Sequence, residues 1–175
     1  MRRPGDRALR SRAARVRLLV LDVDGVLTDG SLVYGPAGED TKCFHVQDGL
    51  ALATAIRHGL TVAVISGRAS AAVTRRMAEL GLSEIHQGVA DKATALRALM
   101  ERQQVDRAAV AAMGDDLPDL ALLAHVGLAL APADAVAEVR RAAHWVSRRP
   151  GGRGAVREAI EWLLRARGAW PPPHA

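Results

Sequence analysis

Asp22-Val23-Asp24-Gly25-Val26 sets two carboxylates on either side of a valine. In an extended segment alternate side chains leave from the same side, so both acids start together. They stand at the tip of the apolar run 18–23, where two charges are costly without a cation or hydrogen-bond donors; the alternative is an Asx-rich turn after a buried strand. Ser66-Gly67-Arg68 offers a hydroxyl and backbone N–H groups at a helix start. That arrangement seats phosphate and is also an ordinary cap. Lys92 follows Asp91 at the opening of a further helix, where a cation opposes the helix dipole. It needs another partner, such as a phosphoryl oxygen, or else it is a solvated surface lysine. Gly114-Asp115-Asp116-Leu117-Pro118-Asp119 packs three acids around a glycine turn. Oxygen ligands in that number suit a hard cation such as Mg²⁺, although a capping turn uses the same residues.

These four signatures punctuate a regular alternation. Apolar runs at 18–23, 61–65 and 108–113 read as buried strands, with shorter ones at 84–87, 126–130 and 144–146. Helical segments are expected at 48–58, with Asp48 as N-cap and Gly59 just past its end, and at 69–80, 91–103, 118–124, 133–142 and 154–167. Two short runs, 31–34 and 41–46, flank Gly35-Pro36-Ala37-Gly38 and read as a hairpin that includes Cys43. Parallel strands need crossover connections and helices supply them, so the expected fold is α/β: a doubly wound, Rossmann-like parallel sheet with a β-hairpin flap. Ligands in such sheets bind beyond the carboxyl ends of the strands, and that is where all four signatures fall. The twenty-odd residues between Asp24 and the first helix leave no room for a cap domain.

Composition narrows the function classes. Residues 18–139 hold 9 Lys and Arg against 16 Asp and Glu, while the two ends hold 15 Arg against 3 acids. An acidic body with basic ends suits a bound cation, together with acidic substrates, subunit contacts or nucleic acid. Single-strand binding wants aromatic platforms, and five aromatic residues leave almost none to spare. Nucleic acid is therefore not the expected partner. A lone cysteine excludes an internal disulfide. Asp22 and Asp24 interrupt the only early apolar run far short of a membrane span, and the expected location is cytoplasmic. Residues 1–16 read as a loose basic tail, 17–168 as the folded domain and 169–175 as a terminal tail.

The ordered set Asp-x-Asp-Gly-Val, Ser-Gly-Arg, Lys and Gly-Asp-Asp-x-x-Asp resembles the four motifs of the haloacid dehalogenase-like phosphatases over residues 17–146. The resemblance implies that Asp22 attacks phosphorus and forms an aspartyl-phosphate, while Asp24 protonates the leaving alcohol and then activates water. It also implies Mg²⁺ held by the Asp22 carboxylate, the Asp24 carbonyl and Asp115. Ser66 and Lys92 would complete the phosphoryl seat, with Asp116 and Asp119 orienting the metal shell or Lys92. Lys42-Cys43-Phe44-His45-Val46-Gln47-Asp48-Gly49 and Gly151-Gly152-Arg153-Gly154-Ala155-Val156-Arg157-Glu158 narrow the resemblance to the capless 3-deoxy-D-manno-octulosonate 8-phosphate phosphatases of lipopolysaccharide biosynthesis. That family implies a homotetramer whose hairpins pack together. Its sugar-acid contacts map onto His45, Val46, Gln47, Asp48, Gly49, Arg68, Arg76 and Lys92, with Arg153 near an active site, its own or a neighbour's. Arg68 and Arg76 share a helical face on spacing, although Arg76 is equally a surface arginine. Well-known members carry Asn, Arg and Arg where this chain has His45, Gln47 and Ala53. The rival readings are a phosphatase for a nine-carbon sugar acid phosphate and a non-catalytic phosphatase-like oligomerisation domain.

Overall fold

The structure is a computed structural model that describes residues 4–36 and 40–170. Six parallel strands form one sheet in the order β5-β4-β1-β6-β7-β8: β1 is Leu18–Leu21, β4 Thr61–Ile65, β5 Glu84–His86, β6 Val110–Met113, β7 Leu128–Ala131 and β8 Trp145–Val146. The crossovers run through α2 (Val46–Arg57), α3 (Ala71–Glu79), α4 (Lys92–Gln103), α5 (Leu120–Leu123) and α6 (Ala137–Ala142), and α7 (Ala155–Ala166) closes the described chain. The central strands are apolar throughout because both faces are covered. Leu19, Leu21, Val62, Val64, Ala111 and Met113 join the cluster under α2 and α7. Their alternates, Leu18, Val20, Ala63, Ile65, Val110 and Ala112, meet Leu96 and Leu99 of α4 and Leu122 of α5 on the other face.

Strand register positions the site. Leu21 pairs with Val64 and with Met113, so Asp22 leaves the sheet one residue beyond that row. Ser66 and Asp115 follow within a residue or two on either side. Among the described residues between Asp24 and α2 the chain makes a two-stranded antiparallel hairpin, β2 (Val33–Tyr34) with β3 (Asp40–Thr41). Its tip, residues 37–39, lies outside the described residues.

Several expectations differ from the structure. Pro4–Ala14 is a helix, α1, in place of a loose tail. Leu9, Ala13 and Val16 recur at helical spacing among the arginines and pack on the α7 side of the core, with Ala13 and Val16 buried. Cys43 is exposed in the loop after β3, not within a strand. The segment expected as one helix over 118–124 is a 3₁₀ turn, Leu117–Asp119, followed by α5. Asp48 is not the N-cap of α2, which starts two residues earlier after His45.

Candidate active site

Two glycines let three loops converge. Gly25 has φ +87°, and a Cβ there would lie 2.0 Å from Asp115 Oδ2. A Cβ on Gly114 would meet that of Asp119 at 2.4 Å. With both side chains absent, the β1 loop and the β6 turn pack directly on the acidic groups. The Asp22 amide donates to Met113 O (3.1 Å), so its backbone continues the sheet while its carboxylate, 6% exposed, turns into the cleft. Lys92 Nζ, at the first residue of α4, donates to Asp22 Oδ1 (2.8 Å) and to Asp119 Oδ1 (2.6 Å). The partner that a lysine at a helix start requires is thus a pair of carboxylates. Asp119 Oδ2 accepts from the amides of Asp115 (3.0 Å) and Asp116 (3.3 Å). Asp116 itself accepts from Leu117 N (2.7 Å) and caps the 3₁₀ turn.

One lysine among these acids leaves negative charge over. Burial, then the charge of Asp119, pushes Asp22 up to about 6 against the pull of Lys92. Burial, then Asp22, Asp119 and Asp116, pushes Asp115 up to about 7. Burial opposes the charge on Lys92 too, but Asp22 and Asp119 together hold its pKa above the ordinary value. Asp115 Oδ1 is buried without a hydrogen-bond partner among the described residues. One oxygen each of Asp22, Asp115 and Asp119 lies within 4.8 Å of the others. Both oxygens of Asp119 are already engaged, so Asp22 and Asp115 are the carboxylates with an oxygen to give. An orphaned buried oxygen and two carboxyls that burial and mutual repulsion push towards neutrality fit a hard dication held between Asp22 and Asp115.

Asp22, Asp24, Ser66, Arg68, Lys92, Asp115, Asp116 and Asp119 line one cleft of about 330 Å³. Ser66 is buried at the end of β4 and accepts from Arg68 N (3.3 Å). It sits in a turn before α3, not at the helix start as expected. Arg68 approaches Asp24 (Nε to Oδ2 3.8 Å) and donates to Tyr34 Oη (3.0 Å), which brings the hairpin over the cleft. Lys42, which motif spacing alone does not place at the site, buries its side chain and sets Nζ 2.5 Å from Asp24 Oδ1. A compositional signal points to it: of 24 Lys and Arg residues only Lys42 and Lys92 are lysines, and both meet carboxylates of this cleft.

Of the sugar-acid residues expected from the resemblance, Arg68 and Lys92 line that cleft and the others do not join it within one chain. His45, Asp48, Gly49 and Arg76 line a separate hollow with Phe44, Met77 and Leu80. Arg76 crosses Gly49, where a Cβ would lie 2.3 Å from Nη2, and pairs with Glu79 (3.3 Å). Arg68 and Arg76 therefore face different partners. Val46 and Gln47 are exposed on the first turn of α2. Asp48 is 2% exposed, and its carboxylate accepts from Gly154 N (3.1 Å) and Arg157 N (2.6 Å), capping α7. Gly151 and Gly152 pack on the first loop: a Cβ on Gly151 would fall 1.7 Å from Gly25 O, and one on Gly152 2.4 Å from Asp29 N. Arg153 then donates to Asp29 Oδ2 (3.1 Å) of the same chain.

Residues 79–160, which carry Lys92 and the Gly114–Asp119 turn, match the family model of the haloacid dehalogenase-like hydrolases. That is the class defined by a parallel sheet with this acidic edge. The chain is 43% identical over 155 residues to the 3-deoxy-D-manno-octulosonate 8-phosphate phosphatase of Yersinia pestis, covering 89% of this chain and 83% of that protein. The crystal structure of the Moraxella catarrhalis enzyme of the same name, in complex with magnesium ion, phosphate ion and a KDO molecule, superposes with a TM-score of 0.91 at 39% identity, covering 93% of this chain and 94% of that one. A haloacid dehalogenase superfamily subfamily III A hydrolase from Legionella pneumophila matches with a TM-score of 0.92 at 39% identity, covering 94% and 91%. The chain belongs to the 3-deoxy-D-manno-octulosonate 8-phosphate phosphatase family of these hydrolases.

Proposed function

We propose that this chain hydrolyses 3-deoxy-D-manno-octulosonate 8-phosphate to the free sugar acid and phosphate, a step of lipopolysaccharide biosynthesis, with Mg²⁺ as cofactor. The observation that carries the reading is buried Asp22 with half-buried Asp115, whose Oδ1 is orphaned, beside Lys92 in a cleft that also holds Asp24 and Ser66. Mg²⁺, held by the Asp22 and Asp115 carboxylates and the Asp24 carbonyl, would reduce repulsion between the anionic nucleophile and the phosphoryl oxygens. An Asp22 carboxylate oxygen attacks phosphorus while the bond from phosphorus to the sugar C8 oxygen breaks, and the Asp24 carboxyl gives that oxygen its proton. The Asp24 carboxylate then takes a proton from a water whose oxygen attacks the aspartyl-phosphate. The bond to Asp22 breaks, phosphate leaves and the enzyme is restored. Lys92 and Ser66 stabilise the phosphoryl oxygens, and Asp119 fixes Lys92.

The catalytic residues lie within 17–168, and α1 packs on that unit through Leu9, Ala13 and Val16 at its foot. The cleft is open, and the hairpin and α2 present Leu32, Val33, Tyr34, Val46 and Leu50 exposed nearby. A homotetramer that packs these hairpins together covers them and brings His45, Val46, Gln47, Gly49 and Arg76 to a shared sugar-acid site. Among the described residues no helix is long and apolar enough to cross a membrane, and the reading places the enzyme in the cytoplasm.

The test is phosphate release from 3-deoxy-D-manno-octulosonate 8-phosphate, from a nine-carbon sugar acid phosphate and from nitrophenyl phosphate, with Mg²⁺ and after chelation. The eight-carbon ester is expected to have the highest kcat/KM, chelation to abolish turnover, and Asp22→Asn to abolish it on every ester with the fold intact. Metal-independent turnover, or wild-type activity in folded Asp22→Asn, overturns the mechanism. Preference for the nine-carbon ester reassigns the substrate.

A further inference from the structure

Two arginines of the basic amino end have no role in this chemistry, yet they gather with Arg107 and His144 in one place. Arg12 of α1, Arg15 in the turn after it, Arg107 before β6 and His144 before β8 line a cleft of about 460 Å³ floored by Val126 and Gly127. Each of these residues precedes a strand of the parallel sheet. The cleft therefore opens at the amino ends of the strands, and the catalytic cleft at the carboxyl ends.

No carboxylate lines it. Elsewhere several arginines find acids, among them Arg75 with Glu79 (3.2 Å), Arg102 with Glu84 (3.0 Å) and Arg148 with Glu158 (2.7 Å). Among the described residues Arg12, Arg15 and Arg107 have no such partner. Two of them are nonetheless held in place. Arg12 Nη1 donates to Gly127 O (3.4 Å) and Arg107 Nε to Val126 O (3.3 Å), which leaves the remaining N–H groups of each fork to point elsewhere. His144 Nδ1 accepts from Ala129 N (2.9 Å), so the neutral ring carries its proton on Nε2 and offers one more donor. Burial, then the charges of Arg12 and Arg107, holds His144 below its ordinary pKa, which agrees with a positive potential in the cleft.

We propose that this cleft is a second anion site, for a small molecule bearing two or more phosphoryl groups. Anchored guanidinium forks match phosphoryl oxygens in pairs, and the two anchored ones together with Arg15 outnumber the charge of a single phosphate. A concave cleft with no Phe, Tyr or Trp in its lining gives a nucleic-acid base little to stack on, which favours a compact polyanion. The inference is independent of the catalytic reading, since no residue of the cleft touches the other site.

Calorimetric titration of the Mg²⁺-loaded protein tests it, with pyrophosphate as the inorganic probe and fructose 1,6-bisphosphate as the organic one. At least one is expected to bind in an event that Asp22→Asn preserves. The double variant Arg12→Gln/Arg107→Gln should weaken that event by about tenfold or more, as loss of two charged donors implies. Both positions are exposed, so the variant's unfolding midpoint and its turnover without the probe should match the wild type. The tighter of the two probes identifies the source of the phosphoryl groups. Absence of binding, binding that the double variant leaves unchanged, or an oligonucleotide bound more tightly than either probe and lost in the same variant each overturns the proposal.

Discussion

Lys42 and Lys92 are the two places where this arginine-rich chain keeps an ammonium. A guanidinium is a wide planar fork, whereas an ammonium is a compact point charge on a flexible stem. Lys42 reaches Asp24 with its side chain 1% exposed, where the fork has no room. Lys42→Met is expected to let Asp24 swing from the leaving oxygen and to lower kcat on the sugar phosphate by about 10²-fold, the scale of an ångström-sized misplacement. Nitrophenyl phosphate, whose leaving group needs no proton, should lose less, and Lys42→Arg should not rescue either ester. Wild-type kcat on both esters in Lys42→Met would reduce the contact to a salt bridge. Asp22 and Asp115 yield a prediction with a definite sign. In the metal-free protein their pKa values, about 6 and about 7, lie above the ordinary 3.8, so between those limits the folded state holds more protons than the unfolded one. Stability is then greatest below about pH 4 as far as these groups are concerned, and falls as pH rises through their folded values. Thermal unfolding in chelator should show that decline, and Mg²⁺ should raise the midpoint more at pH 7.5 than at pH 5. An equal Mg²⁺ effect at the two pH values would separate these carboxyls from the metal.

At the scale of elements, α7 depends on a residue more than a hundred positions before it. Asp48 satisfies two amides at the N-terminus of α7, at Gly154 and Arg157. Removing a cap costs about 1–2 kcal/mol. Asp48→Ala should therefore lower the denaturant midpoint with its slope unchanged, and leave KM for the sugar phosphate little altered. A raised KM at undiminished stability would return Asp48 to the substrate. The sequence shows the right chemistry here on the wrong helix: an acid before an apolar helical pattern reads as its local cap, and nothing local says that another N-terminus will take it. The same limit applies to α1 and the turn after it, where Leu9, Ala13 and Val16 mean little until α7 supplies a surface. The long strands and the four motif loops are legible because buried runs and the charges at their ends are local facts. Asp22, Ser66 and Asp115 fall together because the register of β4, β1 and β6 carries those ends to one edge. Lys42 is not legible in that way, because only the folded hairpin connects it to Asp24.

At the scale of the whole molecule, a single chain leaves its hairpin uncovered. Leu32, Val33 and Tyr34 are 46%, 54% and 59% exposed, an apolar ridge of the kind that marks an interface. Sedimentation should show an assembly of four chains. Leu32→Glu with Val33→Glu should shift it to smaller species and reduce turnover of the sugar phosphate more than that of nitrophenyl phosphate. A wild-type protein that sediments as a monomer at assay concentration would remove the shared site and leave the phosphatase reading intact. The contact of Gly151 and Gly152 with the loop from Gly25 to Asp29 has a consequence in time. A ribosome releases the chain from its first residue onward, so Asp22 and Asp24 emerge early. The backbone that holds their loop in shape emerges only with the last helix. A nascent chain can thus pair its central strands while its nucleophile still lies on an unbraced loop, and the competence to cleave a phosphate ester waits for Gly151 and Gly152 to emerge and dock.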